Sequence, residues 1–202
     1  MKISVVAPIF NEEDTITPFY KRLSTTLAQM GVSYEVIFVN DGSKDRSIAL
    51  IKDFCRNDEN IGYIDFSRNF GHQIAVNAGL EYAKGDVAVI IDSDLQDPPE
   101  LINDLYQKLQ EGYEVVYARR KKRKGESWFK LWTAKLFYRL MAKITPIAIP
   151  MDTGDFRIID RKIVNNLTSM HEHNKFLRGQ IAWLGFNQTY IDYEREERYA
   201  GE

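Results

Sequence analysis

The feature that most constrains this chain is a repeated alternation of short, apolar, β-branched runs with longer helical patterns. The runs are ISVVAP, YEVIFV, IGYIDF, DVAVII and YEVVYA, and the helical patterns lie near residues 13–30, 45–57, 71–84 and 98–111. Parallel strands joined by helical crossovers have this pattern, because helices cover both faces of such a sheet. The sequence therefore predicts an α/β fold with a doubly wound, mostly parallel, Rossmann-like sheet.

Length and composition are those of one soluble globular domain. The chain has 202 residues, of which 44% are hydrophobic, and this is enough to bury a proper core. After residue 119 the alternation gives way to a basic loop, an aromatic helix near 126–143 and the run DTGDFRIID. We predict a single domain over 1–202, in which 1–118 form one half and 119–202 form an elaboration of it.

Several kinds of site and location are disfavoured by composition. Cys55 is the only cysteine, so the chain forms no internal disulfide and a reducing compartment is expected. His72, His171 and His173 are the only histidines, and together with one cysteine they do not make a zinc site. The apolar start is too short for a secretion signal, and no window approaches the roughly 18 apolar residues of a membrane span.

The fourth predicted strand ends in the run DSDLQD. Asp92, Asp94 and Gln96 follow the strand directly, at the carboxyl end where ligands of open α/β sheets bind. Their hard oxygens suit Mg²⁺ or Mn²⁺ held between protein carboxylates and substrate phosphates. Pro98 and Pro99 are predicted to open a helix, with Asp97 as its cap. The alternative for the whole run is a strand-to-helix loop with helix-capping acids.

Two other strand ends carry groups suited to a nucleoside. Pro8, Phe10 and Glu12 follow the first strand, where a flat aromatic ring can stack on a base. Asp41 follows the second strand, where a carboxylate can accept a hydrogen bond from a base or from ribose. The alternative for this acidic turn is an Asx turn that caps the next helix, a role we assign to Ser43 and Asp45.

The third strand ends in SRNFGHQ. Arg68 can pair with a diphosphate, since a guanidinium offers a fork of donors to phosphate oxygens, although arginines in loops are more often solvated. His72 is interpreted as a surface or capping residue. The first four strands are thus followed, in order, by a turn with an aromatic residue, an acidic turn, a turn with an arginine and an acidic turn suited to a metal ion.

This ordered series resembles the family 2 glycosyltransferases of GT-A fold. The matching segments are PIFNEE, VNDGSKD, SRNFGHQIAVNAGL and DSDLQDPPE, the last in the place of the family's DXD element. The later segments GDFR, FLRG and ERYAGE resemble a narrower branch, the polyprenyl-phosphate glycosyltransferases related to dolichol-phosphate mannose synthase and to bacterial undecaprenyl-phosphate sugar transferases.

The resemblance implies a nucleotide-sugar site in the half 1–118 and an acceptor site in the half 119–202. It implies Mg²⁺ or Mn²⁺ as cofactor, with Asp94 and Gln96 facing the ion and Asp92 facing the ribose or a metal-bound water. The implied nucleotide-sugar residues are Pro8, Phe10, Glu12, Asp41, Arg68, Asp92, Ser93 and Asp94, and the implied metal ligands are Asp94, Gln96 and Asp92.

Asp155 matches the position usually treated as the catalytic base of an inverting transfer. A sugar hydroxyl needs such a base, but a phosphate monoester has a second pKa near 6 and is largely ionised already. With a phosphate acceptor, Asp155 can instead orient Arg157 or the metal. Both roles remain open on sequence alone, and Asp152 is a less favoured substitute.

The charge is strongly uneven along the chain. Residues 119–143 hold ten Lys or Arg and one acid, a local charge of +9 that leaves −11 for the rest of a chain whose total is −2. This pattern is typical of a basic amphipathic helix that binds an anionic membrane surface. The alternative is a helix whose aromatic residues pack on the sheet and whose lysines face water. The arginines expected to receive an acceptor phosphate are Arg119, Arg120, Arg123, Arg157 and Arg178, with weaker contributions from Arg195 and Arg198. No nucleic acid is expected as a partner, because the strand ends are acidic.

The resemblance implies a metal-dependent inverting hexosyltransferase. It would use a UDP- or GDP-sugar and a polyprenyl phosphate, undecaprenyl or dolichyl, at the cytoplasmic face of the cell membrane in the synthesis of envelope glycans. In related enzymes the YAGE segment is followed by membrane helices, so we expect a membrane segment to lie outside this sequence. We expect the chain itself to be soluble, and a homo-oligomer is compatible with the resemblance. The alternatives are transfer to a glycan hydroxyl and a non-catalytic nucleotide-sugar-binding protein.

Overall fold

The computed structural model describes residues 1–121, 153–172 and 175–195. Arg123, Asp152, Arg198 and most of the basic segment lie outside these ranges. The strands are β1 (Lys2–Ile9), β2 (Ser33–Asn40), β3 (Ile61–Asp65), β4 (Val87–Ile90), β5 (Val115–Arg120), β6 (Thr153–Asp160) and β7 (Gln188–Tyr193). The helices are α1 (Ile16–Met30), α2 (Ser47–Asn57), α3 (His72–Tyr82), α4 (Ile102–Gln110), α5 (Arg161–Ser169) and α6 (Leu177–Leu184), with a 3₁₀ turn at Pro99–Leu101.

The seven strands form one sheet in the order β3-β2-β1-β4-β6-β5-β7. The pairs β1–β2, β1–β4, β2–β3 and β5–β7 are parallel, while β6 runs antiparallel to both β4 and β5. The predicted mostly parallel α/β sheet is thus confirmed. The five strands and four helices expected before residue 120 all form, with ends shifted by a few residues.

Successive side chains of β1 are buried on opposite faces of the sheet, and helices cover both faces. Ile3, Val5 and Ala7 belong to one buried cluster, which also contains residues of α1, α2 and α4. Val6 belongs to a second cluster, which contains residues of α3, α5 and α6. Because alternate side chains of a strand point to opposite faces, a run that is apolar at every position requires cover on both sides.

Because β6 is antiparallel to β4, the first residues of β6 lie beside the carboxyl end of β4. Its register aligns Ile90 of β4 with Arg157. The chain after Ile90 and the chain before Arg157 therefore lie at the same edge of the sheet, which places Asp155 near the DSD run. No helix within the described ranges is long and apolar enough to cross a membrane.

At the opposite edge of the sheet, Glu35 joins three segments of the chain. Its carboxylate accepts hydrogen bonds from Lys2 Nζ at 2.7 Å, Ser4 Oγ at 2.6 Å and the Lys84 backbone N–H at 2.6 Å. Burial raises the pKa of Glu35, but these hydrogen bonds outweigh burial and the pKa is lowered overall. The ionised form is therefore the one that stabilises the fold.

Replacing Glu35 with glutamine is expected to lower the free energy of unfolding near neutral pH by about 1–3 kcal/mol. A carboxyl whose folded pKa is lowered contributes stability above its unfolded pKa and loses it as the pH falls through the folded pKa. The difference between wild type and variant should therefore shrink in acid. Urea unfolding at about pH 7 and about pH 3 measures it, with exposed Glu59→Gln as the control. An equal loss at both pH values contradicts the prediction.

Candidate functional site

A cavity of about 310 Å³ opens at the carboxyl edge of β1, β2 and β4. Its lining residues are Pro8, Ile9, Phe10, Glu12, Asp41, Asn69, Gly71, His72, Asp92, Ser93 and Asp94. Phe10 is 45% exposed, so its ring is accessible to a flat ligand. Most of the predicted nucleotide-sugar residues thus line one cavity.

The turn after β2 is built around Gly42, which has φ of 70°. A Cβ at Gly42 would lie 2.4 Å from the Arg68 backbone carbon, so the close approach of residues 68–69 requires glycine. This approach lets Asp41 accept hydrogen bonds from the Phe70 and Gly71 backbone N–H groups, at 2.7 and 2.9 Å. Asp41 therefore also shapes the cavity wall, beyond the base-binding role predicted for it.

The two turns that precede α1 and α2 are tied together. Asn11 N–H donates to Ser43 Oγ at 3.0 Å, and the Lys44 N–H donates to Asn11 Oδ1 at 2.9 Å. Asp45 accepts from the Ser47 N–H at 2.9 Å near the start of α2. Asp45 therefore has the local structural role expected from the sequence, and Ser43 links the two turns.

The DSD turn places Asp92 and Asp94 on the cavity wall, with Ser93 buried between them. Leu95 has φ of 62° and is anchored in the core at 5% exposure. A bulky residue adopts this conformation only when its surroundings hold it there. The Gln96 backbone N–H donates to Asp94 Oδ1 at 3.0 Å, and Gln96 is not among the lining residues of the cavity.

The donor set of this turn suits a hard divalent ion. Within the described residues, no group of three or more His, Cys, Asp or Glu side chains forms a complete metal site. Asp92 and Asp94 nevertheless provide two carboxylates at one cavity wall. Mg²⁺ typically takes one or two protein carboxylates and completes its shell with water and substrate phosphates. These two residues therefore fit an ion that arrives with a nucleotide.

His72 connects the two sides of the site, a role that the sequence interpretation missed. Its Nε2 lies 2.8 Å from Asp92 Oδ1, and its Nδ1 lies 3.9 Å from Asp155 Oδ2. Burial lowers the pKa of His72, but the hydrogen bond to Asp92 and the charges of Asp92 and Asp155 raise it overall. Its place at the start of the helix after the third strand, at the carboxyl edge, was the available sequence signal.

Asp155 lies between two arginines. Arg157 Nη2 donates to Asp155 Oδ1 at 2.6 Å, and Arg178 Nε donates to the same oxygen at 3.1 Å. Burial raises the pKa of Asp155, but the Arg178 hydrogen bond and the two positive charges lower it overall. A carboxylate with a lowered pKa is a weak base.

The predicted acceptor arginines differ in accessibility. Arg157 is 1% exposed and lies beneath Asp155, whereas the side chain of Arg178 is 37% exposed beside it. Arg119 donates to both carboxylate oxygens of Asp192, at 2.6 and 2.9 Å. Of these three arginines, Arg178 is the one that the structure places both beside Asp155 and in contact with solvent.

Two further predicted residues lie away from the cavity wall. Arg68 is exposed, donates to the Asn69 carbonyl at 3.0 Å and stacks over the Phe70 ring at 4.0 Å. Arg120 Nε donates to the Tyr193 hydroxyl at 3.2 Å. The predicted helix-capping role of Asp97 is wrong: the 3₁₀ turn has no side-chain cap, and Asp97 is fully buried, where it accepts a hydrogen bond from the Tyr193 hydroxyl.

Comparison with known proteins identifies the family. The model of the family described as "Glycosyl transferase family 2" matches residues 4–168. A Bacillus subtilis (strain 168) protein named "Uncharacterized glycosyltransferase YkcC" is 53% identical over 202 residues, which is 100% of this chain and 62% of that protein. The "Bactoprenol glucosyl transferase" of Shigella phage SfV is 40% identical over 201 residues, 100% of this chain and 66% of that protein. The chain thus spans about two thirds of the length of these relatives.

Solved structures with the same fold are glycosyltransferases of GT-A type, which confirms the predicted fold. The mannosyltransferase PcManGT of Pyrobaculum calidifontis, in complex with GDP-Man and Mn²⁺, has a TM-score of 0.70 at 17% identity, over 98% of this chain and 57% of that chain. The glucosyl-3-phosphoglycerate synthase of Mycobacterium tuberculosis, in complex with Mn²⁺ and UDP-glucose, has a TM-score of 0.64 at 22% identity, over 99% of this chain and 72% of that chain.

Proposed function

The chain belongs to glycosyl transferase family 2, and from that premise we propose that it transfers a hexose from a UDP- or GDP-sugar to a polyprenyl phosphate. One arrangement carries the proposal: His72 lies between Asp92, on the cavity wall, and Asp155, and Asp155 accepts a hydrogen bond from Arg178. A carboxylate pair for a metal–diphosphate thus lies next to a cationic group for a phosphate acceptor. The bactoprenol glucosyl transferases among the relatives support the same pairing of substrates.

The cavity at the carboxyl edge binds the donor. Phe10 stacks on the base, and Asp41 holds the turn at residues 70–71 against the nucleoside. Asp92 and Asp94 hold Mg²⁺ or Mn²⁺ together with the diphosphate, and Gln96 is a further predicted ligand. When bound there, a divalent ion would supply Lewis-acid stabilisation of the charge on the departing nucleoside diphosphate.

Asp155 acts as an orienting carboxylate rather than as a base. Arg157 and Arg178 lower its pKa, which makes it a weak proton acceptor. A phosphate monoester is largely ionised near neutral pH and needs no base to attack the sugar. Asp155 therefore holds the Arg178 guanidinium in place to receive the acceptor phosphate. Arg157 supports Asp155 from the protein interior.

The same observation disfavours transfer to a glycan hydroxyl. A hydroxyl nucleophile needs a positioned base, and Arg178 and Arg157 lower the pKa of Asp155, which weakens it as a base. An exposed guanidinium beside Asp155 also suits an anionic acceptor better than a neutral one. The basic segment at 119–143 supports docking on an anionic membrane surface, and this association is part of the proposal.

Thermal-shift screening of UDP- and GDP-sugars, with and without Mn²⁺, tests the donor half of the proposal. A ligand that binds the native state raises the melting temperature by mass action. We expect one donor to raise it in the presence of Mn²⁺ and to have little effect without the ion. If no UDP- or GDP-sugar shifts the melting temperature under either condition, the proposed donor class is wrong.

Replacing Arg178 with glutamine is expected to raise the KM for polyprenyl phosphate about tenfold, because one charge-assisted hydrogen bond to the phosphate is lost. Donor affinity should change less than about twofold. Arg178→Lys keeps the charge without the fork of donors and should be intermediate. Initial-rate kinetics with each substrate varied in turn measures both constants. A rise in the donor KM of the same size contradicts the assignment.

A further inference from the structure

A second charged cluster lies next to the cavity, at the end of β7. Asp97 is its buried centre and is 0% exposed. Oδ1 of Asp97 accepts a hydrogen bond from the Tyr193 hydroxyl, and Oδ2 lies 3.6 Å from Arg120 Nη2. Oδ2 has no hydrogen-bond partner among the described residues. A buried carboxylate with an unused oxygen is costly unless positive charge lies close to it.

Arg195 is the second cation beside Asp97 and the one that reaches the cavity wall. Its Nε lies 3.9 Å from Asp97 Oδ1, and its Nη2 lies 3.6 Å from Asp94 Oδ2. Both distances exceed hydrogen-bond range. Arg195 Nε is buried and has no hydrogen-bond partner within the part of the chain that the structure describes. A guanidinium with an unused donor thus lies between a buried carboxylate and a predicted metal ligand.

We propose that Arg195 binds the diphosphate of the sugar nucleotide, with the buried Asp97 carboxylate as the negative charge beside it. The inference rests on the proposed function, since it assumes a nucleotide-sugar in the cavity. The guanidinium offers a fork of donors that matches phosphate oxygens. It lies beside Asp94, which is proposed to hold the ion together with the diphosphate. Arg195 therefore serves the donor rather than the acceptor phosphate suggested by sequence. It provides positive charge for the departing nucleoside diphosphate in addition to that of the ion.

The position of Arg195 has a second consequence. Without nucleotide, its charge lies beside Asp94 and opposes the binding of a divalent cation there. With nucleotide, the diphosphate attracts both the cation and the guanidinium. Removal of Arg195 should therefore strengthen the binding of Mn²⁺ alone and weaken the binding of the nucleoside diphosphate, two effects of opposite sign.

The test compares wild type with Arg195→Gln and Arg195→Lys. Calorimetry measures the binding of UDP, GDP, UMP and GMP in the presence of Mn²⁺, and the electron paramagnetic resonance signal of free Mn²⁺ measures binding of the ion alone. The control is Arg56→Gln, which removes one exposed positive charge in the last turn of α2. Should the glutamine variant not fold, the lysine variant carries the test, because it keeps the charge and loses only the fork of donors.

The expected result for Arg195→Gln is about tenfold weaker binding of the nucleoside diphosphate that wild type prefers, with less than about twofold change for the matching monophosphate. Arg195→Lys should show a smaller loss with the same preference, and Arg56→Gln should match wild type. Equal losses for diphosphate and monophosphate indicate a merely structural contact and overturn the proposal. If Arg195→Gln binds Mn²⁺ alone no more tightly than wild type does, the proposed competition between Arg195 and a divalent cation at Asp94 is wrong. If wild type binds neither UDP nor GDP, the proposed function fails together with this inference.

Discussion

Replacing Asp94 with asparagine is expected to lower the rate of sugar transfer about a hundredfold or more. The proposed divalent ion stabilises the leaving diphosphate by several kcal/mol, and each 1.36 kcal/mol is about a tenfold change in rate. Asparagine has nearly the same shape as aspartate, and its Oδ1 can still accept the Gln96 N–H bond, so the turn should keep its conformation. The loss therefore reports the missing charge.

The Mn²⁺ dependence of activity and a control variant test whether the slower transfer by Asp94→Asn comes from the metal site. The Mn²⁺ concentration that gives half-maximal activity should rise, because one of the two carboxylates proposed to hold the ion is gone. Asp104→Asn removes the same charge from an exposed position of α4 and should match wild type. A loss below about tenfold with unchanged Mn²⁺ dependence contradicts the metal role of Asp94.

Replacing Asp155 with asparagine is expected to destabilise the fold by about 3–5 kcal/mol, because it leaves the Arg157 charge buried without its carboxylate. Arg157 is 1% exposed, and its 2.6 Å bond to Asp155 is its ion pair within the described residues. Urea unfolding measures the loss. The variant should also transfer more slowly, because Arg178 loses the carboxylate that holds it.

A double variant separates stability from activity at Asp155. Asp155→Asn combined with Arg157→Met removes both charges of the pair, so no buried guanidinium is left without a counter-charge. The double variant should therefore regain much of the lost stability while its transfer rate stays low. Recovery of the rate together with stability contradicts a direct role of Asp155 at the acceptor side.

The sequence predicted the sheet because its signals are local. Every strand of the first half is a short apolar run, and each of the first four runs is followed by a helical period. The strand ends could also be grouped, since carboxyl ends of parallel strands share one edge of the sheet. What the pattern did not give is the antiparallel position of β6 between β4 and β5, which depends on pairing between distant residues.

The missed features of the site come from contacts far apart in sequence. Asp97 follows a strand and precedes a proline pair, which is a capping pattern, but Tyr193, 96 residues away, supplies its hydrogen bond. The bridging role of His72 depends on the approach of Asp155, which no local pattern reports. One relation was readable: Asp155 and Arg157 are two apart on a strand and so share a face.

The central claim is most directly tested by transfer of labelled hexose from UDP- or GDP-sugars, with Mn²⁺, to undecaprenyl phosphate and to undecaprenol in parallel detergent reactions. We predict a labelled lipid product from undecaprenyl phosphate and none from undecaprenol, because in the proposed function the acceptor phosphate is both the nucleophile and the group that Arg178 binds. Equal transfer to both lipids, or no transfer to undecaprenyl phosphate from any donor, would contradict it.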